Sequence, residues 1–296
     1  MYPIDLRSVE GLVGNKMLYT PNEVNKLMEG DSVLLIDIRD AEDYQEEHIS
    51  GAVSLPDIFY YLSMTTEEGL QELHRKFADR LSKIGLSAEK TAIIYEDAYD
   101  SRCGGSCRGY WLLRYLGHEK VGVLDGGFSA WVEEGFSVDN EPVISEPTIF
   151  AVKPHPEILA TKNDMIEVVN NPGSVKLLDN RDKIEWVGKS SSPYGVDFAP
   201  RKGRIPGATW IEWYDFLERD GSIPYFKTAD QIRELCAQHG LYPQDDIIIY
   251  CFKGARAANT YVALKKAGFK KVRNYFGSWN EWSRDSTLPI NEEVLA

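Results

Sequence analysis

The chain has 296 residues, enough for two ordinary domains that each bury a core, and its composition is globular with no low-complexity tract. A net charge of −13, without a basic stripe, argues against nucleic acid as a partner and leaves any anionic ligand to be drawn by local cations. No run is long and apolar enough to span a bilayer, and Met1–Asp5 lacks the basic-then-apolar pattern of a leader, so no membrane association and a cytoplasmic location are the default expectations.

In chain order, helical spacing predicts a helix over Pro21 to Glu29, followed by the apolar strand pattern Val33-Leu34-Leu35-Ile36-Asp37 and then Ile38-Arg39-Asp40. A turn at His48-Ile49-Ser50-Gly51-Ala52 precedes a helix over Leu70 to Lys83, a strand over Thr91 to Tyr95 and a helix over Gly109 to Leu116. Between that strand and helix lies a long loop, acidic at Glu96-Asp97, which contains Cys103-Gly104-Gly105-Ser106-Cys107. Pro142, Pro147, Pro154 and Pro156 mark a linker over Val138 to Pro156, placing a boundary between residues 1–148 and 149–296. The second part reads as Val175 to Asp182, a turn at Arg204-Ile205-Pro206-Gly207-Ala208, a helix over Ala229 to Gln238, a strand over Asp246 to Tyr250, and a helix over Ala257 to Ala267.

The two parts repeat one another. Leu35-Ile36-Asp37-Ile38-Arg39-Asp40 answers Leu177-Leu178-Asp179-Asn180-Arg181-Asp182, and His48 to Ala52 answers Arg204 to Ala208. Thr91 to Tyr95 answers Asp246 to Tyr250, and Gly126-Gly127-Phe128-Ser129-Ala130-Trp131 answers Phe276 to Trp282. Alternating strands and helices predict, for each half, an α/β fold with a parallel sheet covered on both faces. Both halves keep the Asp-x-Arg pair, so Asp37/Arg39 and Asp179/Arg181 read as structural ion pairs at strand ends. His48 reads as a turn residue making a hydrogen bond. Trp210, Trp213, Trp279 and Trp282 read as core or interface aromatics.

The most informative segment is Cys251-Phe252-Lys253-Gly254-Ala255-Arg256. A cysteine at a strand's carboxyl end, in a tight loop feeding a helix, faces backbone N–H groups and the positive end of the helix. That surrounding favours the thiolate, the nucleophilic form. Lys253 and Arg256 add cations, so the segment reads as an activated cysteine facing an anionic substrate, with Arg201, Lys202 and Arg204 as its outer rim. In the first half Glu96 stands where the second has Cys251. A carboxylate is a poor sulfur nucleophile, and the longer loop is not expected to keep the same cradle, so the first half reads as non-catalytic there. Cys236 falls in a helical pattern and reads as core. Cys103 and Cys107 read as incidental thiols, with a redox-labile pair as the lesser alternative; neither a disulfide framework nor a metal site is expected.

These motifs, taken together over nearly the whole chain, resemble the tandem-domain rhodanese family of sulfurtransferases. Asp37-Ile38-Arg39, Leu124-Asp125-Gly126-Gly127, Arg204 to Ala208, Cys251 to Arg256 and Gly277-Ser278-Trp279-Asn280-Glu281-Trp282 carry the resemblance. It implies two similar rhodanese-like domains, an inactive first one, and a second that uses Cys251 at the domain interface without a cofactor. It further implies double displacement: Cys251 takes sulfane sulfur from an anionic donor as a persulfide and passes it to cyanide or a thiol. Phe252, Lys253, Gly254, Ala255 and Arg256 would bind the donor, with Arg201 and Arg204 outside them and Arg108 a candidate from the first domain. Cations in the loop favour thiosulfate over 3-mercaptopyruvate, although Phe252 stands where arginine is common, Arg204 where histidine is common and Phe276 where aspartate is common. The competing readings are a 3-mercaptopyruvate sulfurtransferase, a non-enzymatic sulfur-carrier or regulatory module, and a cysteine phosphatase. A phosphatase loop carries five residues between Cys and Arg, against the four here, Phe252 to Ala255.

Overall fold

The computed structural model describes residues 16–30, 32–219 and 221–294; the segment Met1–Asp5, read above for a leader, lies outside them. The chain divides into two compact units. One holds the residues up to Tyr60 together with His74–Pro154, and the other holds Tyr61–Leu73 together with His155 onward. The second unit therefore takes in a strap of thirteen residues from the first half of the sequence, which the linker pattern around residue 149 does not announce.

Each unit is built on a five-stranded sheet in which every neighbouring pair is parallel. In the first the order is Leu18–Tyr19, Val121–Leu124, Thr91–Tyr95, Val33–Asp37, Val53–Ser54. In the second it is Leu159–Ala160, Lys271–Tyr275, Asp246–Tyr250, Lys176–Asp179, Ala208–Trp210, the same topology element for element. The central strands Thr91–Tyr95 and Asp246–Tyr250 are covered on both faces, which is why they read as isoleucine-rich, nearly continuous apolar runs. Helices begin at matched capping boxes, Thr20 with Glu23 before Pro21–Leu27 and Thr161 with Asp164 before Lys162–Asn170.

The helices after the central strands start earlier than periodicity alone indicates, at Gly105–Tyr115 and Ala255–Lys266. Gly104 and Gly254 precede them at φ 75° and 83°, a left-handed conformation that glycine adopts without a Cβ penalty and that swings the loop directly into the helix.

The Asp-x-Arg pairs close each sheet in the same way. Arg39 Nε and Nη2 donate to the Asp37 carboxylate, Nη2 at 2.8 Å, and Arg181 Nε and Nη2 donate to Asp179, Nη2 at 2.7 Å. Each arginine also lies over an aromatic ring, Phe128 at 4.0 Å and Trp279 at 4.2 Å. His48 Nδ1 is 2.7 Å from the Tyr44 carbonyl and its ring stacks on Tyr44, the hydrogen-bonding role read from sequence, although the residue lies in the short strand His48–Ile49 and the turn begins after it. Trp213, Trp279 and Trp282 are fully buried, and no helix of the described residues is long and apolar enough to cross a membrane.

Candidate active site

Cys251 follows directly on the strand Asp246–Tyr250 and is 1% exposed. The Gly254 N–H donates to its Sγ at 3.1 Å. Ala255 and Arg256 open the following helix, so their N–H groups belong to a first turn that has no intrahelical acceptors. Sulfur thus accepts the Gly254 N–H at the positive end of a twelve-residue helix.

The loop is held from behind by the turn that follows Lys271–Tyr275. The Cys251 N–H donates to Ser278 Oγ (3.2 Å), whose hydroxyl donates in turn to the Tyr275 carbonyl (2.7 Å). Trp279 N–H donates to the Cys251 carbonyl (3.0 Å), Asn280 N–H to the Phe252 carbonyl (2.9 Å), and Asn274 Nδ2 to the Gly254 carbonyl (3.2 Å). Ser278 adopts φ 52°, unusual outside glycine, at the position where the first half has Gly127 at φ 65°. Its two hydroxyl bonds explain why a strained serine stands there.

The predicted loop residues separate into two groups. Gly254 and Ala255 stay at the cradle, and Lys253 lies 5.1 Å from the centre of the Tyr194 ring. Phe252, expected against substrate, instead turns its ring into the core beside Tyr250, Trp279 and Met165, because an apolar ring gains more from burial there. Arg256 is also internal. Its Nη1 and Nη2 meet Glu185 at 2.6 and 3.2 Å, and Nη1 meets Asp182 Oδ1 at 2.8 Å. Burial opposes the Arg256 charge, but Glu185 first, then the Cys251 sulfur and Asp182, outweigh it and hold the guanidinium firmly protonated. Arg256 thus acts as a buttress with its charge balanced by carboxylates, close enough to Cys251 to be felt.

The expected rim is a clamp on the C-terminal segment. Arg201 spends its guanidinium on the carbonyls of Ser283 (2.9 Å), Leu288 (2.8 Å), Trp282 (3.0 Å) and Asp285. Arg204 Nη1 donates to the Glu293 carbonyl (3.0 Å) and its guanidinium covers the Trp186 ring at 5.1 Å. Arg108, proposed from the first half as a pocket residue, is fully buried and donates to the carbonyls of Ile58 (2.8 Å) and Phe59 (2.7 Å). All three direct the guanidinium to backbone carbonyls, which a planar five-donor fork satisfies well; Arg108 and Arg204 are buried and Arg201 half-buried.

The residues that sequence reasoning missed are the partners. Asp182-Lys183-Ile184-Glu185 forms a capping box, and its pattern was a usable signal for a carboxylate pair near a strand end. Ser278 was signalled by its alignment with Gly127. Tyr194 carried no signal.

In the first unit the equivalent loop keeps an anion cradle, contrary to the expectation from its length. Glu96 is fully buried, and its carboxylate accepts from Ser106 N–H (3.0 Å), Ser106 Oγ (2.7 Å) and Arg102 N–H (3.1 Å). The extra residues turn back at Ala98–Ser101, and Gly104 restores the helix start, so Ser106 takes the place that Arg256 has in the second unit. Burial pushes the Glu96 carboxyl up to about 7, against the hydrogen bonds from Ser106 and the loop that pull it down. Among the other thiols, Cys236 is buried and its pKa is pushed up to about 12, as suits a core residue, while Cys103 is half-buried and Cys107 buried.

The family description Rhodanese-like domain matches the chain twice, over residues 20–134 and 161–285. A thiosulfate sulfurtransferase of Mus musculus is 30% identical over 246 residues, covering 82% of this chain and 80% of that protein. The sulfur carrier protein TtuD of Thermus thermophilus is 28% identical over 287 residues, covering 95% and 98%. Among solved structures, an anaerobic ergothioneine biosynthesis enzyme from Chlorobium limicola superposes with TM-score 0.79 at 23% identity, over 94% of this chain and 70% of that one, a likeness of fold.

Proposed function

We propose, from the premise that this chain belongs to the rhodanese family, that it moves sulfane sulfur from thiosulfate to a thiophilic acceptor through a persulfide on Cys251. Membership makes it a sulfurtransferase; the donor and the route are our reading. The Cys251 thiolate attacks the outer sulfur of thiosulfate, the bond between the two thiosulfate sulfurs breaks, and sulfite leaves with the electron pair. Cyanide or a thiolate then attacks the outer persulfide sulfur and Cys251 returns as thiolate. Both half-reactions place negative charge on sulfur at the mouth of the loop.

The observation that carries the reading is the Gly254 N–H donating to Cys251 Sγ at 3.1 Å, at the start of the helix Ala255–Lys266. Oriented N–H groups stabilise charge that develops at a fixed point, here the outer sulfur. The first unit supports it by analogy, since the matching loop there turns its N–H donors onto the Glu96 carboxyl. Because Arg256 is balanced by Glu185 and Asp182, attraction of the donor falls to Lys253 and the N–H groups. A cytoplasmic setting, where thiol acceptors are kept reduced, suits the second half-reaction.

The test is kinetics with thiosulfate and 3-mercaptopyruvate side by side. Thiosulfate is expected to be the better donor, and Lys253→Ser should lower its kcat/KM roughly ten- to a hundredfold, the loss of one charge-assisted contact, while affecting 3-mercaptopyruvate less. A wild-type preference for 3-mercaptopyruvate would overturn the choice of donor. The likeness to a sulfur carrier protein of Thermus thermophilus, over 98% of that protein, favours a second reading in which this chain is a sulfur carrier; repeated turnover of thiosulfate with cyanide would count against it.

A further inference from the structure

Tyr194 lies in a turn that the catalytic motif does not contain, yet it is placed against two residues of the catalytic loop. Its ring centre is 5.0 Å from that of Phe252 and 5.1 Å from Lys253 Nζ. Lys253 is only 6% exposed, whereas Tyr194 is 44% exposed, so the ring is both the neighbour of a buried ammonium and part of the surface. The turn is braced by its own serines. Tyr194 N–H donates to Ser192 Oγ (3.2 Å), Ser192 Oγ donates to the Gly195 carbonyl (2.9 Å), and Ser190 Oγ donates to the Ser192 carbonyl (3.1 Å). Phe198 packs on the same ring at 5.9 Å.

We propose that Tyr194 is a specificity-determining residue, its ring holding the Lys253 ammonium at the catalytic loop so that the site selects a doubly charged sulfur donor. This rests on the sulfurtransferase reading. A lysine side chain has several rotatable bonds, so the position of its charge is set by the groups packed against it. An aromatic face attracts the ammonium through its quadrupole and removes that freedom, and the attraction grows as the pair is desolvated. Phe252 packs against the same ring at 5.0 Å, which gives the core-directed Phe252 an indirect part in donor recognition. Where the Lys253 ammonium stands contributes to how strongly a dianion is held relative to a monoanion.

The experiment measures thiosulfate binding by calorimetry in the full-length Cys251→Ser background, where no sulfur transfer can follow. Tyr194→Leu should weaken the Kd roughly five- to tenfold, and Tyr194→Phe, which keeps the ring, should stay within about twofold. In a Lys253→Met background Tyr194→Leu should have no further effect, a coupling that a merely structural role for Tyr194 would not produce. Equal Kd values for Tyr194→Leu and its parent, additive losses in the Lys253→Met background, or absence of thiosulfate binding in the parent would each overturn the proposal. Sulfur loading of wild-type Cys251 is followed separately. Failure of loading with the Kd shift intact would remove the transfer reaction while leaving the role of Tyr194 standing.

Discussion

Glu96 and Cys251 occupy the same place in two copies of one fold: the Glu96 carbonyl accepts from Phe128 N–H at 2.8 Å, and the Cys251 carbonyl accepts from Trp279 N–H at 3.0 Å. Each follows a central five-residue strand and faces the N-terminus of the next helix. The chemistry differs by one side chain. In one unit the donors hold the Glu96 carboxyl, and in the other the Gly254 N–H donates to the Cys251 sulfur, the proposed carrier of the transferred atom.

The Glu96 carboxyl, raised to about 7 by burial, makes stability depend on pH in a direction opposite to an ordinary salt-bridged acid. The folded state holds the proton more tightly than the unfolded chain, so this contribution is full below about pH 4.5 and is lost as pH rises to about 7. The expected loss is on the order of 2–3 kcal/mol across that window. Glu96→Gln has no proton to lose, so the pH dependence of its urea unfolding should be flatter by that amount, with sulfur transfer retained. Parallel stability profiles for the two proteins would refute the assignment.

Ser278 should separate strain from anchoring. Ser278→Ala loses both hydroxyl bonds and keeps a Cβ at φ 52°, whereas Ser278→Gly loses the bonds but relieves the backbone. Alanine should therefore be less stable than glycine by about 1 kcal/mol. Both should slow sulfur transfer, because the Cys251 N–H loses its acceptor. Denaturant midpoints and steady-state rates decide this, and an alanine variant as stable as glycine would contradict it.

The strap Tyr61–Leu73 is tied into the second unit by a buried carboxylate. Thr65 N–H and Oγ1 donate to Glu281 at 2.7 and 2.6 Å, and Thr65 Oγ1 accepts from Lys162 N–H at 2.8 Å. Glu281 adjoins Asn280, which pins the Phe252 carbonyl. Thr65→Val should cost about 1–3 kcal/mol through the polar groups it strands, and Thr65→Ser should restore most of it. A chain starting at residue 149 lacks Thr65 and should transfer sulfur far more slowly than the full chain; equal activity would show the strap to be dispensable.

What the sequence revealed was local, and what it hid was not. The strands Thr91–Tyr95 and Asp246–Tyr250 were readable to the residue because β-branched runs flanked by turns leave little choice. Cys251, its glycine and its helix lie within one short stretch, so the donor cradle was readable too. Arg256 was seen as a cation but not as half of a pair, since Glu185 lies 71 residues earlier. Arg201 looked like a solvent-facing rim because nothing local marks carbonyls more than eighty residues away as its acceptors. Thr65 and Glu281 are 216 residues apart, and only the fold brings the strap to that carboxylate.

The central claim is that Cys251, and no other thiol, carries the transferred sulfur. The most direct measurement is peptide-resolved mass analysis of the full-length protein after incubation with thiosulfate, repeated after adding cyanide. One added sulfur atom is expected on the peptide containing Cys251, removable by cyanide and absent from Cys251→Ser, while Cys103→Ser/Cys107→Ser still loads. Sulfur appearing on Cys103 or Cys107, or loading that persists in Cys251→Ser, would contradict the account.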